Sequence, residues 1–473
     1  MTSSLFVESW PPQPVADRYR PLTLHALRRS SYWRRLPPDV QEALVVVSLI
    51  VPFCVGEYVL RELIDWDRIP DDPIFRMTFP HADMLDSEDY AALAELRRRK
   101  TDPGADVIAR EVARIREGLG LRPAGSTAGS VPTLDGRPIH SLRHAYRETV
   151  RVAPAPAAGR WCHLYRTGSW RRGPFAGLPE ARFQSCDVDD MVAYLKARSE
   201  VTEVTFAGGD PMMMRAEVLR RYVEPLLHND LEHVRTIRID TESPARWPQR
   251  FLTDRDTAEV LSIFAEVVRR RRHLVVMGDF SHPRELEPVV AQRAVRRIRS
   301  TGAEIRMRAP LLRGVNDDPA AWEALWKTGA RTGMIPNDMY IERDAGPNGF
   351  FDVKLARAHE IFRQAYSRIP AAARTARGPS MSARPGEIRL LGESTLGGHR
   401  CFVLDFLRAK DPEWVRRPFF ARFDPDATWF DDLQPAFAGQ DFFFDDGLLH
   451  PHPESPPFDP QRVLTAQADG AGT

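Results

Sequence analysis

Cysteine is scarce in this chain, and its positions exclude several kinds of site. Four cysteines occur among 473 residues, and they are widely spaced: Cys54, Cys162, Cys186 and Cys401. Because no Cys-x-x-Cys pair is present, the sequence indicates neither a disulfide framework nor a metal site of the zinc-finger type. This use of cysteine favours a reducing compartment, and we expect a cytoplasmic protein.

Long apolar runs and an excess of either charge are also absent. The longest apolar stretch covers residues 43–56, contains Pro52 and is shorter than the roughly 20 residues of a membrane span. The first residues have neither the basic start nor the apolar segment of a signal peptide. The chain has 66 basic and 65 acidic residues, a net charge of +1. We therefore expect neither a nucleic acid nor a membrane as partner.

Short β-type runs alternate with longer helical stretches through the middle of the chain. The first helical stretch begins at Asp187, a residue type that favours a helix N-cap. Such alternation predicts right-handed βαβ units and a parallel sheet. Six units are fewer than an eight-unit barrel needs, so an incomplete barrel and a doubly wound sheet both remain open. The six predicted strands are residues 149–154, 203–209, 236–241, 273–280, 303–312 and 338–344.

Polar and turn-forming residues gather at the carboxyl ends of the predicted strands, where ligands bind in both folds. After the second strand, Gly208 and Gly209 let the backbone turn sharply and let a ligand approach its amide and carbonyl groups. Asp210 follows and could accept a hydrogen bond from a ligand ammonium. Taken alone, these residues are more typical of a tight turn. Polar residues at the other strand ends favour a binding site: Thr241, Asp279, Arg313 and Asp344.

Several motifs together resemble the lysine 2,3-aminomutase-like proteins of the radical S-adenosylmethionine (SAM) family. Residues 207–214 (AGGDPMMM) resemble the family's Gly-Gly-Asp-Pro loop, and residues 238–251 (RIDTESPARWPQRF) resemble its Arg-x-x-Thr segment. Residues 279–285 (DFSHPRE) and 310–318 (PLLRGVNDD) resemble two further signatures. Other similar segments extend the resemblance from about residue 37 to residue 445: residues 62–80, 378–382 and 406–433.

The resemblance implies an α/β fold of radical SAM type, a partial (β/α)6 barrel of the TIM type with extensions at both ends. Its divisions are an N-terminal arm (1–36), a helical N-terminal extension and linker (37–148), the barrel (149–370), a C-terminal extension (371–447) and a disordered tail (448–473). In the family, backbone carbonyls of the Gly-Gly-Asp-Pro loop hold the SAM amino group. The resemblance therefore implies a SAM-binding set: Gly208, Gly209, Asp210, Arg238, Thr241 and Arg313.

The loop after the first strand departs from the family in its cluster ligands. The resemblance implies a Cys-x3-Cys-x2-Cys loop that holds a [4Fe–4S] cluster through thiolates. Here the three positions are Cys162, Arg166 and Ser169. Serine is a weak ligand, and the guanidinium of Arg166 stays protonated and offers only donors. We therefore expect no [4Fe–4S] cluster, with Cys162 as a residual ligand position only.

Two further departures concern pyridoxal phosphate (PLP) and the substrate. Glu387 lies near the position of the family's PLP-binding lysine, and a carboxylate cannot form an imine, so we do not expect PLP. Asp279 stands where the resemblance suggests a histidine. Asp344 matches an acidic position that the aminomutases use on the distal amine of their substrate. Asp279 and Asp344 are the candidate catalytic residues.

Three interpretations of function remain open, and they differ on whether the chain is an enzyme at all. In the first, the protein binds SAM or a small charged, amino-acid-like ligand without radical chemistry. Arg166 then either holds a carboxylate or phosphate of that ligand or points to solvent. In the second, it is a non-catalytic partner of an active radical SAM enzyme, or assembles as a homo-oligomer. In the third, it is an active aminomutase-type enzyme with atypical cluster ligands.

Overall fold

The first part of the chain forms a helical extension, and its core also includes residues from much later in the chain, such as Leu312 and Phe351. In this computed structural model, the described residues are 19, 21–51, 53–98, 105–119, 131–154, 164, 187–437 and 441–445. A short strand β1 (Pro21–Thr23) pairs antiparallel with β2 (Cys54–Gly56). Leu44, Leu60 and Phe75 are fully buried between the surrounding helices. Those helices are α1 (Leu24–Arg28), α2 (Pro38–Val47), α3 (Pro73–Thr78), α4 (Ser87–Arg98) and α5 (Ala105–Gly118).

One large sheet follows, after a minimal hairpin of β3 (Thr133–Leu134) and β4 (Arg137–Pro138). Its eleven strands lie side by side in chain order, and those from β6 to β12 are parallel. The outer strands pair antiparallel. The strands are β5 (Leu142–Tyr146), β6 (Thr149–Val152), β7 (Glu203–Phe206), β8 (Thr236–Thr241), β9 (His273–Asp279), β10 (Glu304–Pro310), β11 (Ile335–Ile341), β12 (Arg377–Ser382), β13 (Gly386–Leu396), β14 (His399–Ala409) and β15 (Phe419–Arg422).

The predicted α/β class and its six parallel strands are confirmed, and the structure adds a seventh. Strand β12 pairs parallel with β11, beyond residue 370 where the predicted barrel ends. Its sequence, RGPSMS, contains Gly378 and Pro379, two residue types that argue against a strand interior. The described strands do not pair backbone to backbone into a closed ring, because β5 and β15 are both edges of the sheet.

Helices between the parallel strands cover one face of the sheet with apolar side chains. Asp187 caps the first of them, since its side chain accepts a hydrogen bond from the Asp189 amide at 2.8 Å, as predicted. None of the helices in the described ranges is long and apolar enough to cross a membrane. They are α6 (Val188–Lys196), α7 (Ala216–Val223), α8 (Ser243–Arg246), α9 (Thr257–Arg269), α10 (Val289–Arg299), α11 (Pro319–Arg331) and α12 (Leu355–Ser367).

The opposite face of the sheet is polar, because side chains alternate between the two faces of a strand. In β8, Ile237 and Ile239 are buried in the helix-covered core, whereas Arg238 and Asp240 point the other way. The strand register carries this alternation across the sheet: Asp279 of β9 pairs with Arg308 of β10, which pairs with Asp338 of β11. We call this polar side the lumen face.

Side chains join the two ends of the sheet, although its backbone does not close. Arg408 of β14 donates from Nη2 to Glu148 Oε1 at 2.9 Å and to the hydroxyl of Thr149 at the start of β6. Its guanidinium also lies 4.6 Å from the ring centroid of Tyr146 in β5. The sheet is therefore curled so strongly that β14 returns to the start of β6.

Candidate functional site

The loop after β7 has the shape that its two glycines permit. Gly208 and Gly209 have φ angles of +89° and +90°, which glycine adopts without the steric cost of a side chain. The loop continues into a short 3-10 helix, Pro211–Met213. As predicted, it lies at the carboxyl end of a parallel strand.

The buried carboxylate of Asp210 is committed to the protein. It accepts hydrogen bonds from the Thr241 hydroxyl (2.7 and 2.9 Å) and from the amide of Met212 (2.8 Å). The amides of Glu242 (2.9 Å) and Ser243 (3.0 Å) and the Ser243 hydroxyl (3.0 Å) also donate to it. Burial raises the pKa of Asp210 to about 6, although the hydrogen bonds oppose that rise. Asp210 and Thr241 thus tie the end of β7 to the end of β8.

Arg250, from the same motif segment as Thr241, holds this loop from its other side. Its Nε donates to the carbonyl of Met212 at 2.7 Å, and its Nη2 donates to the carbonyl of Met214 at 2.8 Å. The buried guanidinium is balanced by Asp254 at 2.9 Å and by Asp256. Residues 238–251 therefore hold the loop after β7 in place through Asp210, Met212 and Met214.

A network of arginine and aspartate side chains crosses the lumen face from β8 to β10. Arg238 Nε donates to Asp240 Oδ1 at 2.7 Å. Arg308 reaches both neighbouring acids: its Nη2 lies 3.2 Å from Asp240 Oδ2, and its Nε lies 2.5 Å from Asp279 Oδ1. The guanidinium of Arg308 also lies 5.7 Å from the ring centroid of Tyr340 in β11. Two predicted site residues, Arg238 and Asp279, are thus brought together.

The network keeps Asp240 charged. Burial alone would raise the pKa of Asp240, but Arg238, Arg308 and Arg151 hold it well below its usual range. In the same way Asp240 and Asp279 overcome the effect of burial on Arg308 and raise its pKa. The charges of three arginines therefore act on Asp240.

On β11, the next strand of the lumen face, a buried carboxylate has a raised pKa instead of a lowered one. Asp338 of β11 is buried, and its two carboxylate oxygens lie 3.1 and 2.9 Å from the hydroxyl oxygen of Ser380 in β12. Burial raises the pKa of Asp338 to about 7, and the negative charge of Glu387 adds to this effect against the opposing charge of Arg377. Negative charge therefore meets less compensation here than it does at Asp240.

Two other predicted residues lie in loops after the strands. The side chain of Arg313 donates to the carbonyl of Phe350 (3.1 and 2.9 Å) and to that of Gly349 (3.0 Å), so it clamps the loop after β11. Asp344 follows β11 with a positive φ of 49°, and its side chain is 43% exposed at 3.9 Å from Arg343. Their roles toward SAM and a substrate amine stay predictions.

The absence of the family's cluster and of PLP stays a prediction from the sequence. Cys162, Arg166 and Ser169 lie outside the described residues, and their side chains include a single thiolate donor for a cluster. No group of three or more His, Cys, Asp or Glu side chains that could hold a metal occurs in the described part of the chain. The thiol of Cys401 donates to the Ser394 carbonyl at 3.4 Å on β14. Glu387 offers PLP no amine.

Sequence reasoning missed the lumen residues that do not stand at strand ends. Asp240, Arg308, Asp338 and Ser380 all point inward from within their strands. A signal was present, because β8 (TIRIDT) and β10 (EIRMRAP) place charged residues at every second position. This pattern is typical of a strand with one polar face, whereas a parallel strand buried on both faces is apolar throughout.

The fold and its lumen define a mixed α/β protein with a large, mostly parallel sheet around a charged interior. Sequence comparison finds curated proteins that are similar to it. A protein from Aquifex aeolicus with the name "Putative L-lysine 2,3-aminomutase" is 26% identical over 294 residues, 62% of this chain and 74% of that protein. L-lysine 2,3-aminomutase from Haemophilus influenzae is 28% identical over 170 residues, 36% of this chain and 47% of that protein. The chain is therefore related to the lysine 2,3-aminomutases, which confirms the resemblance.

Two other comparisons give no further evidence about the function. No family model matches the chain. Among solved structures, a radical SAM methyltransferase from Sphaerobacter thermophilus is similar with 17% identity, covering 62% of this chain and 84% of that one, at a TM-score of 0.33. A likeness of that size supports no conclusion about ligand or reaction.

Proposed function

We propose that this protein binds a small charged ligand in its lumen, with SAM or a related nucleoside as the first choice, and does not carry out the family's radical chemistry. The observation that carries the proposal is the row of buried charges of both signs on the lumen face. Arg308 lies between Asp240 and Asp279, and Asp338 is its partner in strand register on β11. A ligand with both an anionic and a cationic group would meet a partner of each sign there.

The loop after β7 supports SAM as the first choice. The relatives carry the name L-lysine 2,3-aminomutase, and the Gly-Gly-Asp-Pro loop of the SAM-binding family that the sequence resembles is present here with both glycines at positive φ. Gly208 and Gly209 would offer backbone groups to the amino-acid part of SAM, and Arg238 would face the ligand from β8. SAM itself would supply an ammonium, a carboxylate and a sulfonium for recognition.

The cluster loop supports the loss of radical chemistry. Reductive cleavage of SAM needs an electron from an iron–sulfur cluster, and that cluster needs thiolate ligands. Arg166 and Ser169 remove two of the three expected thiolates. Arg166 also places a permanent positive charge in this loop, which favours a carboxylate or phosphate, and SAM has a carboxylate.

Titration calorimetry and thermal shift with SAM, S-adenosylhomocysteine and lysine test the proposal. A ligand that binds only the folded protein stabilises it by about 2.7 kcal/mol at a hundredfold excess over its Kd. Arg238→Gln should weaken binding by tenfold or more, because it removes a lumen charge while Arg308 still neutralises Asp240. Arg235→Gln is the matched control, since Arg235 precedes the same strand and its side chain is 62% exposed.

Two outcomes would contradict the proposal. If none of the three ligands gives heat or a thermal shift, the lumen does not bind them, and the non-catalytic partner interpretation takes its place. If Arg235→Gln and Arg238→Gln weaken binding equally, the ligand does not lie in the lumen.

A further inference from the structure

The lumen face of β10 is exposed to solvent, and more so near the amino end of the strand than further along it. Glu304 and Arg306 have side chains that are 28% and 39% exposed. Two residues beyond Arg306, the side chain of Arg308 is 21% exposed. Ile305 and Met307, which alternate with them, are each 1% exposed because they face the helix-covered core. Solvent therefore reaches the lumen side of this inner strand.

The two strands before β10 show the same decrease in exposure. In β9, the side chain of His273, the first residue, is 49% exposed, whereas that of Asp279, the last residue, is 3% exposed. In β8, the side chain of Arg238 is 19% exposed, whereas that of Asp240 is 8% exposed. The three strands are adjacent and parallel, so their more exposed ends lie at one edge of the sheet.

Polar side chains line this edge of the sheet. His273 Nε2 lies 3.5 Å from Glu304 Oε2. Arg306 Nε donates to Glu304 Oε1 at 2.5 Å, and its Nη1 donates to Asn337 Oδ1 of β11 at 3.3 Å. The guanidinium of Arg306 is thus held toward the amino end of β10, away from the network of Arg308 with Asp240 and Asp279. A solute at this edge would meet hydrogen-bonding groups and charges of both signs.

We propose that water and small polar solutes enter the lumen, the space inside the curled sheet, at the amino ends of β8, β9 and β10. The entrance is lined by His273, Glu304 and Arg306. Ligands of parallel sheets usually bind at the opposite ends of the strands, where Asp210 and Thr241 are 9% exposed or less. A route for water also suits a protein without radical chemistry, because reactive intermediates need a site that excludes solvent. The route leads to the binding site proposed above, but it does not depend on the identity of the ligand.

Cysteine substitution along β10 tests this route, because a thiol reagent labels only the positions that it can reach. Glu304→Cys, Arg306→Cys and Arg308→Cys place a thiol at three depths on the lumen face of the ligand-free protein. We expect the rate of labelling by methyl methanethiosulfonate, measured by mass spectrometry of the peptides, to fall several-fold from residue 304 to residue 308. Ile305→Cys is the matched control, since it faces the core and should be labelled only when the protein unfolds.

A bulky side chain at the entrance gives a second test. His273→Trp places a large ring at the first position of β9, and it should slow the labelling of Arg306→Cys several-fold. Arg269→Trp is the control and should leave the rate unchanged, because Arg269 is 72% exposed on helix α9, on the other side of the sheet. If Arg308→Cys does not fold, this comparison decides alone.

Three results would overturn the proposal. A labelling rate that stays level or rises from residue 304 to residue 308 would mean that the reagent does not enter at the amino ends. Rates as low as that of Ile305→Cys at all three positions would mean that the lumen is closed. An unchanged rate in His273→Trp would mean that the route lies elsewhere. These measurements use no lumen ligand, so the route and the proposed function can fail separately.

Discussion

Several charged side chains in this molecule hold loops in place, a role that their charge alone does not reveal. Three charged residues stand in motifs at or after strand ends: Asp210, Arg250 and Arg313. The side chain of each one makes its hydrogen bonds to other groups of the protein. Reading them from sequence as ligand contacts is natural, because a charged residue at a strand end serves either purpose. Only the hydrogen-bond partners around each side chain, donors for Asp210 and acceptors for the two arginines, separate the two roles.

Asp210→Ala should lower the free energy of unfolding of the ligand-free protein by about 3 kcal/mol. Five donor groups lose their acceptor, and the amides of Glu242 and Ser243 stay buried. Urea unfolding measures the change. Asp230→Ala is the control, because its carboxylate is 50% exposed in a surface pair with Lys196. Unchanged stability in Asp210→Ala would show that the junction between β7 and β8 does not depend on this carboxylate.

Asp338 should make the stability of the protein depend on pH. Its pKa is about 7 in the folded protein, against an ordinary value of 3.8. Between pH 3.8 and pH 7, the carboxyl group therefore keeps its proton in the folded state and has lost it in the unfolded state. The stability contributed by this group therefore falls as the pH rises from about 4 to about 7. Asp338→Asn should remove this slope from unfolding free energies measured across the range, and Glu387→Gln should move it to lower pH. An identical slope in Asp338→Asn would contradict the prediction.

At the scale of elements, the regular spacing of apolar residues made much of the fold predictable. Helix α10 buries Ala291, Ala294, Val295 and Ile298, the spacing of one helix face, and the six predicted strands all exist. Strand β12 was not predictable in this way, because Gly378 and Pro379 interrupt it and its neighbours β11 and β13 supply the pairing. The lumen was missed for a related reason: contacts such as Arg308 with Asp240 depend on strand register.

The contact of Arg408 with the first strands should control how tightly the sheet closes. Arg408→Met keeps the apolar stem but removes the bonds to Glu148 and Thr149. We expect faster amide hydrogen exchange in β5, β6 and β14, with little change in β8 to β10, because the loss is local. Arg400→Met is the control in the same strand, since Arg400 pairs with Glu393 at the exposed end of the hairpin. Equal exchange in both variants would mean that Arg408 does not close the sheet.

For the whole molecule, the lumen and the cluster loop support different conclusions about how closely the protein follows the family that its sequence resembles. The glycine loop and the strand-end motifs match the family that the sequence resembles, whereas two of the three positions expected to hold its cluster do not. A fold can keep its binding face after its chemistry changes, because the two depend on different residues. In this chain the lumen charges lie on strands of a packed sheet, and cluster ligation depends on three side chains in one loop.

Restoring the two missing thiolates should therefore be enough to restore a cluster. After anaerobic reconstitution with iron and sulfide, we expect no stoichiometric [4Fe–4S] cluster in the unchanged protein or in Arg166→Cys, because Ser169 still lacks a thiolate. The double variant Arg166→Cys with Ser169→Cys has three thiolates with Cys162 and should bind about four irons per chain. Iron and sulfide analysis with the visible charge-transfer band measures this. A cluster in the unchanged protein, with 5′-deoxyadenosine formed from SAM and dithionite, would instead show that other ligands hold it and that the radical chemistry survives.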